Sequence, residues 1–157
     1  MTPATLVFAW GNPGRGDDAL GPLFAERLAA LDLPGVECLT DFQLQVEHAL
    51  DLQGRQRVLF VDAALDVATE GAAPFAVSAL TPRRDASFTT HAMSPAAILQ
   101  VYAELEGSPP PAWQLAIRGQ DWELGQPPSP AALQGLEQAL LWVQDWLTAQ
   151  PAGPDAS

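Results

Sequence analysis

The feature that most constrains this chain is the way its short apolar runs stop at glycines or acids. Thr5 to Trp10 is an apolar run ended by Gly11 and Pro13, and four consecutive apolar residues, Val58 to Val61, lead directly into Asp62. Runs of this length without polar alternation fit strands buried on both faces, as in a parallel sheet beneath two helical layers. Between them the period becomes helical: Leu20, Leu23, Phe24, Leu28 and Leu31 recur at helix spacing until Pro34-Gly35. Val36 to Leu39 reads as a second strand. Asp41 to Leu52 reads as a short helix with Phe42, Val46, Ala49 and Leu50 on one face, broken at Gly54.

The rest of the chain repeats the alternation. Pro74 to Leu80 is a weaker strand, Thr81 to Ser94 a loop, and Ser94-Pro95 has the cap and first-turn chemistry of a helix start, followed by Ile98, Val101, Tyr102 and Leu105. Trp113 to Arg118 is a further strand. Ser129-Pro130 opens a last helix whose Leu133, Leu136, Leu140, Val143 and Leu147 are expected to face the core. Strands alternating with helices predict an α/β protein: a single three-layer αβα domain over residues 1–150 with a mostly parallel twisted sheet, and a disordered tail over 151–157.

Charge narrows the partners. The chain has 157 residues, 19 acids against seven arginines, no lysine and a net charge of −12. Such a surface repels nucleic acid and anionic membranes, so neither is an expected partner. Cys38 is the lone cysteine and lies in a predicted strand, which excludes an internal disulfide and a thiolate zinc site. The N-terminus lacks a basic region and a cleavage signal, and no apolar run approaches the roughly 20 residues that span a bilayer. The expectation is a cytoplasmic monomer.

Ligands in such sheets bind beyond the carboxyl ends of the strands. That rule selects Asp17 and Asp18 after the first strand and Asp62 after the third, and it admits His91 from the loop entering the Ser94-Pro95 helix. Carboxylates with one imidazole form a mixed oxygen and nitrogen set suited to a divalent ion such as zinc or nickel. Each residue also has a plainer reading. Asp17 or Asp18 can cap a helix, His91 can be a hydrogen-bonded loop residue, and His48 beside Glu47 is expected to be structural. Gly14, Gly16 and Ala19 approximate a dinucleotide fingerprint, but a pyrophosphate there would face Asp17 and Asp18. No HExxH, no GxSxG and no accessible cysteine is present, so hydrolysis would need water activated by a metal or a carboxylate base.

In order and spacing, "GNPGRGDDALGP", "VDAA" at Val61 to Ala64 and "HAMSP" at His91 to Pro95 resemble the hydrogenase maturation proteases of nickel-iron hydrogenases. "DFQLQVEHALDL" and "AIRGQDWELG" resemble the branch serving soluble NAD-reducing hydrogenases. The likeness runs from Leu6 to about Leu147. It implies an αβα endopeptidase that removes a short C-terminal extension from the hydrogenase large-subunit precursor after nickel insertion. It assigns the metal contacts, and with them the catalytic and aspartic-type roles, to Asp18, Asp62 and His91. Many relatives carry Glu where this chain has Asp18, which shortens reach by about one methylene. The resemblance further implies that the nickel is supplied by the substrate rather than permanently bound, either polarising the scissile carbonyl or only positioning the peptide. A precursor-binding adaptor that does not cut is the alternative. Docking is expected at "DFQLQVEHAL" and the loop from Thr81 to Thr90, where Arg83 and Arg84 are candidates for a substrate carboxylate, and Trp122 is a candidate aromatic anchor.

Overall fold

The computed structural model describes residues 2–65, 73–86 and 92–149. Five strands form one sheet: β1 (Thr5–Trp10), β2 (Val36–Asp41), β3 (Arg57–Ala64), β4 (Phe75–Leu80) and β5 (Ala112–Arg118). Their order across the sheet is β2-β1-β3-β5-β4, with every pairing parallel except β4 on β5. Three α-helices cover it, α1 (Leu20–Ala30), α2 (Pro95–Glu106) and α3 (Pro130–Thr148), and two 3₁₀ segments, Gly16–Ala19 and Val46–Leu52, complete the set among the described residues.

The apolar runs explain the layering. Successive side chains on a strand point to opposite faces, so a wholly apolar strand feeds two cores. Val7, Ala9, Leu59, Val61, Leu115 and Ile117 pack against α1 and α3, with Phe24, Leu28, Leu136 and Val143 fully buried there. Leu6, Phe8, Val58 and Phe60 turn the other way, onto Ile98 and Leu99 of α2, onto Leu44 and onto Ala49 and Leu52 of the second 3₁₀ segment. Burying each such side chain contributes on the order of 1.5–3 kcal/mol. The expected three-layer αβα arrangement with a mostly parallel sheet is the one observed.

Ser94 and Ser129 act as read from the sequence. Each hydroxyl accepts a hydrogen bond from the third residue onward, Ala97 and Ala132, and proline follows at the first helical position. At the far end of the molecule Arg57 is buried. Its guanidinium donates to Thr5 Oγ1 and to the carbonyls of Trp146 and Leu147, and lies 4.4 Å from the Trp146 ring centroid. A cation therefore closes the C-terminal end of α3.

One predicted face is wrong. The stretch expected as a helix from Asp41 to Leu52 begins as the end of β2, and only Val46–Leu52 is helical, in 3₁₀ form. Phe42, Val46 and Leu50 are exposed, while Leu44, His48, Ala49 and Leu52 are buried. The tighter three-residue turn changes which positions share a face, so a pattern counted at 3.6 residues selects the wrong side. His48 is structural as expected: Nδ1 accepts from the Gln45 N–H at 2.8 Å, leaving Nε2 to donate to Asp41 Oδ2 at 3.1 Å. Its ring centroid lies 4.5 Å from that of Phe8. Residues 151–157 lie outside the described residues.

Candidate active site

The turn after β1 gives the two neighbouring acids opposite fates. Asp17 is fully buried. Its Oδ2 accepts from the backbone N–H groups of Gln120 (2.7 Å) and Asp121 (3.0 Å) and from the Ser129 hydroxyl (2.8 Å), and its Oδ1 accepts from the Ser129 N–H at 2.6 Å. Burial alone pushes this carboxyl up, but the hydrogen bonds from Asp121, Gln120 and Ser129 together outweigh it and hold the pKa below its ordinary value. Asp17 thus clamps the segment after β5 onto the turn after β1. The backbone reinforces the clamp: Gly16 N–H donates to Gln126 O, Asp17 N–H to Asp121 O and Gly125 N–H to Gly14 O.

Two glycines make this geometry possible. Gly11 has φ +148°, and a Cβ there would lie 2.0 Å from the Asp18 carbonyl oxygen. Gly16 has φ +51°, and its Cβ would meet Asp121 O at 2.4 Å. Both positions combine a conformation favouring glycine with close backbone approach. The glycines therefore fold the turn around carboxylates, with no bare amide cradle for phosphate. Neither acid caps α1, whose N-cap residue is Ala19.

Asp18 is half-buried and points back along the turn, where its Oδ2 accepts from the Asn12 N–H at 2.7 Å. Asn12 in turn accepts from the Gly14 N–H through Oδ1 at 2.9 Å. Asp62 lies within β3, paired in register with Ala116, rather than just beyond the strand end. Burial raises its pKa to about 7; the Ala63 N–H opposes this and the charge of Asp18 adds to it. β1 and β3 are parallel neighbours with Ala9 opposite Val61, so the turn that carries Asp18 and the strand end that carries Asp62 lie at the same edge of the sheet. A carboxyl titrating near neutrality can exchange a proton with a bound water or amine.

His91 lies outside the described residues. Among the described residues no cluster of three or more His, Cys, Asp or Glu side chains is arranged to hold a metal. Asp18 and Asp62 offer carboxylate oxygens, donors of the kind that bind divalent ions. Cys38 is no competitor as a nucleophile: burial first, and Glu37 second, push its thiol up to about 11.

The other candidates sort by contact. Arg84 is held by both carboxylate oxygens of Glu104, at 2.9 and 3.0 Å, while Arg83 is exposed. Of the Thr81 to Thr90 loop, residues 87–90 lie outside the description. Trp122 is half-buried and packs against the α1 and α3 core. A cavity of about 670 Å³ runs along the clamp between Gln120 and Pro130, but neither Asp18 nor Asp62 lines it. The sequence reading missed that Asn12 holds Asp18 and that Ser129, besides capping α3, holds Asp17. The "GN" of the turn signalled the first, and nothing local signalled the second.

Together these features define an αβα protein with a five-stranded, mostly parallel sheet that carries Asp18 and Asp62 towards the carboxyl ends of its first and third strands. Proteins known to share this fold include the [NiFe] hydrogenase maturation protease HycI from Thermococcus kodakarensis KOD1, 22% identical over 94% of each chain with a TM-score of 0.71. The hydrogenase maturating endopeptidase HybD from Escherichia coli is 22% identical over 92% of this chain and 91% of its own, with a TM-score of 0.68. The endopeptidase HycI from Escherichia coli is 20% identical over 92% of this chain and 91% of its own, with a TM-score of 0.67. The sequence matches no protein-family model and no curated protein sequence.

Proposed function

We propose that the protein is a hydrogenase maturation endopeptidase. In this reading it removes a short C-terminal extension from the large-subunit precursor of a nickel-iron hydrogenase and acts in the cytoplasm. The observation that carries the proposal is the placement of Asp18, held by the Asn12 N–H, and Asp62, partly buried in β3, towards the carboxyl ends of two neighbouring parallel strands. Three further facts support it: the motif resemblance, the fold shared along nearly the whole chain with proteins described as hydrogenase maturation proteases, and the lack of a usable thiol.

Peptide hydrolysis needs a base for water and an acid for the leaving amine. Where nickel only positions the peptide, the Asp62 carboxylate would take the proton from the attacking water and return one to the amine nitrogen. Asp18, fixed by the Asn12 N–H, is the oriented oxygen donor beside it. Nickel enters as part of the substrate, held by Asp18, Asp62 and His91, and when bound it would draw electron density from the scissile carbonyl or align the peptide. Two carboxylates with one imidazole and no thiolate would hold nickel weakly alone, which suits an ion read as a completion signal and then released with the product.

The test is to incubate the protein with the matched precursor, with and without inserted nickel, and read intact masses. The proposal expects loss of a C-terminal peptide from the nickel-loaded form only. Cleavage of both forms would retain the peptidase and remove nickel recognition. Binding without any loss of mass would make the protein an adaptor.

A further inference from the structure

The strand order leaves β2 at one edge of the sheet, paired only with β1. Backbone groups of alternate residues point to opposite sides of a strand. The Gly35 and Asp41 carbonyls accept from Thr5 and Gly11, so the odd-numbered residues of β2 face β1. The N–H and C=O groups of Cys38 and Thr40 therefore point outward, along an edge that no other strand occupies among the described residues. Such an edge is a template for one more strand.

This edge runs into the candidate site. Gly11 N–H donates to Asp41 O at 3.1 Å, and the next residue, Asn12, holds Asp18. At its end lies a groove of about 200 Å³ lined by Gly11, Pro13, Pro22, Thr40, Asp41 and Phe42. Phe42 is 69% exposed, and Val46 and Leu50 of the following 3₁₀ segment are 53% and 59% exposed. A strand added to β2 would lie about 10 Å from the axis of β1, two strand spacings away. A segment added at the opposite edge, beyond β4, would be as far from β3 as one added at β2, three strand spacings, but four spacings instead of two from β1, which leads into the turn that carries Asp18.

Charge selects the occupant. Asp41 is exposed and lines the groove, and Glu47 is exposed in the 3₁₀ segment that follows β2. A second copy would bring another net charge of −12 to the same edge. A segment carrying an apolar side chain and a neighbouring cation matches both the groove and its rim.

We infer that β2 and its terminal groove form the docking surface for an extended segment of the protein substrate, which adds as a sixth strand and places one apolar side chain against Phe42. This rests on the endopeptidase reading. The β2 edge supplies main-chain hydrogen bonds, the groove supplies selectivity, and the added strand delivers the peptide towards Asp18 and Asp62.

The test uses the full chain and nickel-loaded large-subunit precursor, comparing wild type with Thr40→Pro, Phe42→Ser and Asp18→Asn. Proline at 40 removes an outward N–H while the ladder to β1 is made by the odd-numbered residues. Circular dichroism and thermal unfolding establish that each variant is folded, and Phe42→Ser, an exposed change, reports independently if Thr40→Pro is not. The expected result is a rise in KM of about tenfold or more for Thr40→Pro and Phe42→Ser with kcat preserved, since a main-chain bond and an apolar contact are lost from binding alone. Asp18→Asn, which removes a proposed nickel contact, should not cut, and whatever binding it keeps should fall further when Thr40→Pro or Phe42→Ser is added. Undiminished binding and KM in folded Thr40→Pro and Phe42→Ser would overturn the docking surface while leaving the peptidase intact. Wild-type binding without cleavage, weakened by the two edge changes, would support the surface and overturn the peptidase. A concentration-dependent wild-type dimer in sedimentation, abolished by Thr40→Pro, would assign the edge to a second copy and overturn the proposal.

Discussion

Replacing Asp62 with Asn should stabilise the protein in a pH-dependent way. In the folded chain burial, with the Asp18 charge added, lifts the Asp62 pKa from 3.8 to about 7. For an acid raised on folding, stability is fully present below the unfolded value and is lost as pH rises towards the folded value. Across this window the unfolded chain has released its proton while the folded chain retains it. The difference of roughly three pKa units corresponds to about 4 kcal/mol at pH 8, lost at about 1.4 kcal/mol per pH unit between pH 4 and 7. Asn keeps the shape and carries no charge, so the variant should escape this loss. Urea unfolding of both proteins, followed by tryptophan fluorescence at half-unit steps from pH 4 to 8, gives the difference directly. Titrations of the other acids are shared by the two proteins and cancel. The expected result is near equality at pH 4 and a gap of about 4 kcal/mol in favour of Asn at pH 8, with processing of the precursor lost. A gap independent of pH would refute the raised pKa and the proton exchange built on it.

Asp18→Asn should abolish precursor processing. It should also narrow the pH 8 stability gap that Asp62→Asn opens, because the neighbouring charge that raises Asp62 is gone; a double-mutant cycle of unfolding free energies measures this. Ser129→Ala removes one of four hydrogen bonds to Asp17 and the acceptor for Ala132 N–H, and should cost about 2 kcal/mol in urea unfolding. Gly16→Ala should cost about 3 kcal/mol or prevent folding, since the new Cβ would sit 2.4 Å from Asp121 O at a positive φ. A folded, fully active Gly16→Ala protein would contradict the close approach of the two loops.

The strands were legible because their signals are local. Thr5 to Trp10 and Val58 to Val61 announce burial on both faces without reference to anything distant, and the serine-proline starts of α2 and α3 carry their caps within three residues. The segment from Asp41 to Leu52 failed for an equally local reason, a 3₁₀ turn in place of an α-helix. The twin acids mark the limit of such reading. Their identity and their place after β1 are visible in the chain. That Asp17 is a buried clamp follows only from Gln120, Asp121 and Ser129, which approach it in the folded structure. The neighbourhood of Asp62 is of the same kind, since its burial depends on how three strands and a turn meet.

The clamp also sets an order of assembly. Its bonds join residues 103 to 112 positions apart, so closing it carries the entropy of a loop nearly as long as the domain. As the chain leaves the ribosome, β1 and the turn emerge first and wait while β3 and β5 are made. A nascent chain that has not reached Ser129 contains Asp17 but lacks two of the four donors that hold it. The growing chain is therefore left with an open clamp by its own topology, and it closes fully only when the start of the last helix arrives.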